Sequence, residues 1–583
     1  MKQKWKYLNK LSGRETESNK IDAIELDGVK LPEKSIPDSM SRYFKNTPYD
    51  VHSKIKKPEK DYMYLVPNVS NSIFMNPITV SELKMITYSL GNTNNLHDVP
   101  AKFMKLIIEQ FADVLCELFN DCLDLGEYPD VFKMSRVVPI YKKGKKSDIG
   151  NYRPISLLPT LNKIFEKIIH RRIYDFLTKY DLLNNRQFGF REGYNTTLAS
   201  FELIGDILPS FDRKLFTMAL FVDFEKAFDT LDRKMLLEKC WKLGLRGNCH
   251  KLLASYFNNR EQFIHVNNLR SEVTESHIGC IQGSNLGPLM FIIYANDMHN
   301  LFNDVDIKVI TYADDTVIYF TGPDIDTLYA TLAVVLKKFV DWCNYNKLSI
   351  NYDKTKLMIF SPLTYVARKV SINGKDIETV YNFKYLGLDL DTKLKHTGHL
   401  KSVETKLNFL CGVTYYKGKF FDVFSAKLFY NAYVYSSISY ELTVWGGILL
   451  VNECQRIKSQ QNRLVKNLFS WHFPNLNLNE VYKKLNLLKV DDLFRFELMC
   501  FFYKHNRSTE FLEKFHIKRN PAVRTNRDTS EFQIPFPRIN SIKCNHHYQM
   551  TSVWSEVPNE IRSLPNLCEF KKSLKTYYIS RYL

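Results

Sequence analysis

The chain contains no apolar run of about 18 residues, the length that a helix needs to cross a bilayer. Its opening, Met1-Lys2-Gln3-Lys4-Trp5-Lys6, is not followed by the apolar core of a secretory signal. Neither feature points to a membrane, and both predict an intracellular protein of the cytoplasm, the nucleus or both. The 11 cysteines are scattered, with no Cys-x-x-Cys pair. That pattern excludes a disulfide scaffold and suits free thiols in a reducing compartment. Cys544-Asn545-His546-His547 lacks a second ligand pair at finger spacing, so it does not read as a zinc site. No internal repeat and no low-complexity block is present. Acidic residues are scarce relative to basic ones: 63 Asp and Glu against 81 Lys and Arg leave a net charge of +18 over 583 residues. An excess of that size fits a polyanionic partner, and nucleic acid better than a membrane surface. Aromatic residues reach 14%, enough to stack on bases, although most must serve the core.

What is present divides the chain into five parts. Residues 1–72 are polar and Lys-rich and read as a linker or arm. Residues 73–134 read as a helical extension. Thr79 followed by Glu82 is a capping-box pattern, and Phe103, Leu106, Ile107, Phe111, Val114, Leu115, Leu118 and Phe119 recur at core-helix spacing. Residues 135–390 alternate strands and helices: strands at 134–141, 216–224 and 356–360, helices near 285–300 and 325–346, and a hairpin at 307–320. The order predicts an α+β fold, with an antiparallel sheet covered by helices on one face. Residues 391–480 are mainly helical, and 481–583 form a basic C-terminal region. Its basic residues between 504 and 528 suit an RNA backbone or a solvated surface equally.

Chemistry concentrates at two places. In Thr311-Tyr312-Ala313-Asp314-Asp315-Thr316-Val317 two carboxylates interrupt a β-branched and aromatic run, as at the tip of a tight hairpin. Adjacent like charges are unfavourable unless a cation or solvent neutralises them. Read alone, the pair is either a polar turn or half of a Mg²⁺ site. In Ala219-Leu220-Phe221-Val222-Asp223-Phe224 a third carboxylate ends an apolar strand, where it is either a strand-end cap or a further ligand. Three acids delivered to one sheet edge from distant strands can share a metal pair. Such a pair clamps the attacking and leaving oxygens of a phosphoryl displacement.

These segments carry a resemblance. Phe221 to Asp229, then Gln282-Gly283-Ser284-Asn285-Leu286-Gly287-Pro288, then Tyr312-Ala313-Asp314-Asp315 resemble successive palm motifs of reverse transcriptases. The likeness is to those of non-LTR (LINE-type, jockey-like) retrotransposons. Val138 to Gly144 with Asn151-Tyr152-Arg153-Pro154, Gln187-Phe188-Gly189-Phe190-Arg191, Lys347 to Lys356 and Phe383-Lys384-Tyr385-Leu386-Gly387 are similar to further blocks in the same order. The resemblance implies a right-hand polymerase, with fingers and palm over 135–390 and a thumb beyond. Its activity would be that of an RNA-directed DNA polymerase, a nucleotidyltransferase that extends a 3′-hydroxyl of a DNA primer or target with dNTPs on an RNA template.

It also implies roles. Asp223, Asp314 and Asp315 would hold Mg²⁺, or Mn²⁺ in its place, with the Phe224 carbonyl as a further ligand. Phe228 would exclude ribonucleotides by its bulk. Arg153 and one of Lys142, Lys143, Lys145 or Lys146, here taken as Lys146, would meet the triphosphate, and Gln282 and Gly283 would line the nucleotide pocket. Lys354 would protonate the leaving pyrophosphate. Ile281 and Asn285 depart from the family pattern. The family's upstream endonuclease domain has no counterpart among the polar residues before position 73, so a nick is expected to come from elsewhere. Two rival readings are a catalytically silent RNA-binding remnant or host-adopted copy of the fold, and an RNA-templated RNA polymerase, against which Phe228 argues.

Overall fold

The computed structural model describes residue 9, residues 21–91 apart from 22, 27 and 28, and residues 99–448, 451–515, 517–520, 531–534 and 546–582. Most of the opening segment, Cys544 and Asn545, and the basic stretch 521–528 lie outside the described residues. The chain runs through α1 (Ile36–Ser53), α2 (Val80–Ser89) and α3 (Ala101–Leu125) to strands β1 (Met134–Tyr141) and β2 (Tyr152–Leu157). Next come α4 (Thr160–Lys179), α5 (Thr196–Asp212), β3 (Phe216–Val222), the one-turn α6 (Ala227–Thr230), α7 (Arg233–Lys242), α8 (Asn248–Phe257) and β4 (Glu261–Val266). Then follow α9 (Leu286–Ala295), the hairpin β5 (Lys308–Tyr312) and β6 (Asp315–Gly322), α10 (Ile325–Tyr345) and β7 (Lys356–Phe360). Two small hairpins, β8 (Val370–Ile372) with β9 (Lys375–Thr379) and β10 (Asn382–Tyr385) with β11 (Leu388–Asp391), lead to a helical region that includes α11 (Thr397–Lys417) and α12 (Val451–Phe469).

Six strands form the main sheet in the order β8-β9-β7-β3-β6-β5. Every pairing is antiparallel except β7 with β9. A second sheet joins β2 to β1 antiparallel and β1 to β4 parallel. The fold is therefore α+β, as the alternation of patterns predicts.

The covering of the main sheet differs from the expected single layer. Met218, Leu220 and Val222 of β3 join a core with α9 and α10, while Ala219 and Phe221 join another with α5, α11 and α12. All seven residues of β3 are buried. Helices thus cover both faces. A continuous apolar strand without polar alternation is what burial on both sides requires.

Two further expectations need correction. The arm over 1–72 is not all linker, because 36–53 is helical. Ile36, Met40 and Phe44 pack on Val137, Tyr152, Ile264 and Val266 across the second sheet. Sparse apolar positions among charged ones hid that face. In α3 the buried stripe is Ala101, Met104, Ile108, Ala112, Cys116, Phe119 and Leu123. Phe103, Leu106, Phe111, Val114 and Leu118 are instead exposed. The helix carries two apolar stripes, and the one with alanines lets α3 approach α2 and α8 closely. At the start of α2, Thr79 accepts from the Glu82 N–H, but the Glu82 carboxylate pairs with Arg172 at 2.7 Å rather than closing the capping box. Among the described residues, no helix is long and apolar enough to cross a membrane.

Candidate active site

Strand register brings the three acids together. Val222 of β3 pairs with Thr316 of β6, and Tyr312 of β5 pairs with Asp315. Asp223 is one residue beyond Val222, so it leaves the sheet at the end where the hairpin turns through Ala313 and Asp314. Ala313 has φ +58°, a left-handed conformation that costs a non-glycine residue about 1–2 kcal/mol. The turn is braced from outside. Gln187 Oε1 accepts from the N–H groups of Ala313 (3.2 Å) and Gly189 (2.8 Å), and Phe188 N–H donates to Thr311 O at 2.8 Å. A Cβ on Gly189 would lie 2.3 Å from the Ala313 nitrogen, so only glycine fits there. The block Gln187 to Arg191 is thereby given a physical task, which its sequence alone did not disclose.

Asp223 is held by its main chain. Its carbonyl accepts from Asn351 N–H (2.8 Å) and its N–H donates to Thr355 Oγ1 (3.3 Å). Its Oδ2 accepts from Lys354 Nζ at 3.0 Å. Phe224 next to it sends its ring into the core near Phe339. Burial first, and the Asp223 charge after it, raise the Asp314 carboxyl, against Arg153 and Lys142. Asp315 opens to solvent on one side and is crowded by protein on the others. That crowding, with Asp314 and Asp223 adding to it, pushes its carboxyl up to about 6. Lys142 is lowered by burial and by Arg153 and Lys354 beside it. The site is thus a cluster of acids faced by a wall of cations.

Among the described residues, no three His, Cys, Asp or Glu side chains stand close enough to hold one ion as they lie. The chemistry of the donors nevertheless suits a hard divalent cation, because all are oxygens. The carboxyls of Asp314 and Asp315 are raised by burial first and by neighbouring carboxylates after it, and a bound cation would favour their charged forms.

A cavity of about 660 Å³ opens beside these acids. Asp223, Asp314, Lys354, Arg153, Gln282 and Gly283 reach it, as does Phe228. Phe228 stacks on Phe291 with centroids 4.5 Å apart and meets the edge of Phe190 at 6.2 Å, so its ring is fixed. Gly283 has φ +103°, and a Cβ there would lie 2.6 Å from Ser156 O. The Gln282 carbonyl accepts from Ser156 N–H at 2.7 Å, which ties the loop to β2. The loop lysines at the cavity are Lys142 and Lys143. Lys146 instead lies over the Tyr141 ring, 5.7 Å from its centroid. Thr47 and Val51 of α1 also reach the cavity, and the polar composition of residues 1–72 masked them. Both departures from the family pattern have structural partners. Asn285 N–H donates to buried Glu166 at 2.7 Å, and Ile281 is buried at the cavity floor.

The site thus sets a strand-borne acid against an acid-tipped hairpin, with cations and the Phe228 ring beside them. Residues 140–390 match the family described as reverse transcriptase (RNA-dependent DNA polymerase), and this part of the chain is a reverse transcriptase domain. The chain is similar to RNA-directed DNA polymerases named from mobile elements. It is 25% identical over 492 residues to the RNA-directed DNA polymerase from mobile element jockey of Drosophila melanogaster, covering 79% of this chain and 50% of that one. It is 30% identical over 341 residues to the probable RNA-directed DNA polymerase from transposon BS of the same species, covering 57% and 38%. The chain spans about half or less of the length of these curated relatives. A solved telomerase from Candida albicans, in complex with a fragment of telomeric RNA, aligns at a TM-score of 0.38 and 12% identity over 70% of this chain and 75% of that one.

Proposed function

We propose that the protein is an RNA-directed DNA polymerase that adds dNTPs to a primer 3′-hydroxyl on an RNA template, with Mg²⁺ or Mn²⁺ as cofactor. The observation that carries this reading is the register of β3, β5 and β6, which delivers Asp223, Asp314 and Asp315 to one end of the sheet. These carboxylates, with the Phe224 carbonyl, would hold the metal. When bound, the metal would acidify the primer hydroxyl and neutralise charge on the triphosphate.

The chain's own residues do the rest. Arg153 offers a planar fork to phosphate oxygens, and Lys142 supplies a point charge beside it. Phe228, held by Phe291, closes the space that a ribose 2′-hydroxyl would need. Lys354 pairs with Asp223 at 3.0 Å and carries protons that a leaving pyrophosphate can take. Asp223, which would help hold the cation, is the same carboxylate that pairs with Lys354. The template and primer are an RNA and a DNA strand, drawn by the net charge of +18. The free thiols among the described cysteines fit a reducing interior, cytoplasm or nucleus.

Extension of a DNA primer on an RNA template, by wild type and by Asp314→Asn with Asp315→Asn, tests the reading. Equal extension by both would show the site to be misassigned, and RNA binding without incorporation by wild type would favour a silent RNA-binding protein.

A second expectation concerns Mg²⁺ and pH together. Asp315 ionises near 6 in the folded metal-free protein and near 3.9 when unfolded. Its folded value is raised, so its ionisation opposes folding at neutral pH, and that penalty is relieved as pH falls from above 6 toward 4. Mg²⁺ needs the ionised form. Mg²⁺ is therefore expected to raise the melting temperature at pH 7.5, with a stabilisation of about 1.4 kcal/mol at ten times its Kd. The increment should shrink as the buffer is taken below pH 6. Differential scanning fluorimetry checks it, and the same increment in the Asp314→Asn, Asp315→Asn protein would refute it.

A further inference from the structure

Asp229 lies one residue after Phe228, partly buried under the nucleotide cavity, and its carboxylate has a definite task. Its Oδ1 accepts from Gln282 Nε2 at 2.6 Å. The two segments are clamped around this bond. Cys280 N–H donates to Phe228 O at 2.7 Å and Gly279 N–H to Leu231 O at 2.8 Å. A Cβ on Gly279 would lie 2.4 Å from Asp229 O. Burial raises the Asp229 carboxyl, against Lys226, the Gln282 hydrogen bond and Arg153, which favour its charged form.

A carboxylate only accepts hydrogen bonds. The Gln282 amide must therefore turn its nitrogen toward Asp229, which leaves the amide oxygen on the other side. Gln282 and Phe228 both face the cavity. If Phe228 closes the 2′ side of the sugar, the one hydroxyl donor left on a dNTP sugar is the 3′-hydroxyl. An outward amide oxygen complements that donor, whereas an outward amide nitrogen would not.

We propose that Asp229 is a positioning residue that fixes the Gln282 side chain with its oxygen toward the sugar of the incoming nucleotide. Discrimination between a dNTP and its 2′,3′-dideoxy analogue then depends on Asp229 acting through Gln282. The inference rests on the polymerase reading above.

The test is single-nucleotide extension with a dNTP and the matching dideoxy nucleotide, by wild type, Asp229→Ala, Asp229→Asn, Gln282→Ala and the Asp229→Ala, Gln282→Ala pair. Asp229→Ala is expected to lower kcat/KM for the dNTP about tenfold, mainly through KM, and to leave the dideoxy nucleotide nearly unchanged, the loss expected for one buried hydrogen bond. Asp229→Asn keeps the shape and one acceptor, and should lie between Asp229→Ala and wild type. In the Gln282→Ala background, Asp229→Ala should cost nothing more. Equal losses for both nucleotides in Asp229→Ala and Asp229→Asn would overturn the proposal, as would a full additional loss in the Gln282→Ala background. A wild type that extends neither nucleotide would overturn the polymerase reading, and this inference with it.

Discussion

Asp223→Asn is expected to lower dNTP incorporation by roughly a thousandfold or more while RNA binding stays within about twofold of wild type. A bound metal supplies several kcal/mol of charge stabilisation in the transition state, and each 1.36 kcal/mol is tenfold in rate. Asparagine keeps the shape of Asp223 and its main-chain bonds to Asn351 and Thr355. What it removes is the charge that both a divalent cation and Lys354 require. The loss therefore belongs in kcat rather than in folding or RNA affinity. Single-turnover extension beside filter binding of the same RNA separates these. A reduction below about tenfold would mean that Asp223 is a strand-end cap and that Asp314 and Asp315 work without it.

Phe228→Ala is expected to raise rNTP use relative to dNTP roughly 10- to 100-fold. Forcing extra atoms into a filled space costs about 1–3 kcal/mol, and that is the cost the Phe228 ring would impose on a 2′-hydroxyl. The ring cannot swing aside, since Phe291 stacks on it and Phe190 abuts it. Because Phe228 is only partly buried, the smaller side chain should leave the fold intact. The ratio of kcat/KM for rNTP and dNTP on one RNA template reads the effect, with Phe228→Tyr expected to stay near wild type. An unchanged ratio in Phe228→Ala would make the ring plain core packing.

The parts of this molecule that short-range patterns specify were legible in its residues. Strands at 134–141 and 356–360 follow from their apolar runs, and the hairpin follows from its two β-branched arms around Ala313 and Asp314. The acids of the site stood out because carboxylates in apolar strands need a reason. Long-range choices were not legible. Helix α3 carries two apolar stripes, and only its packing against α2 and α8 selects the one with small residues. The both-sided covering of β3 depends on C-terminal helices far away in the chain. The link between Asp229 and Gln282 joins segments that no local period relates. Lys146 looked equivalent to Lys142 within a run of like residues, and only the path of the loop separates them.

The position of β3 in the middle of its sheet also sets a timetable for assembly. Its neighbours are β6, which begins at Asp315, and β7, which ends at Phe360. Strands β1 and β2, by contrast, are joined by a short loop and can pair as soon as they are made. On a ribosome working at about 5–20 residues per second, β3 must wait on the order of ten seconds or more for β7 to be made. Until β6 emerges it is an unpaired, largely apolar segment, of the kind that chaperones bind and that aggregates when they are scarce. The arrangement that shields the acids' supporting strand in the finished protein thus makes that strand the most vulnerable one during synthesis.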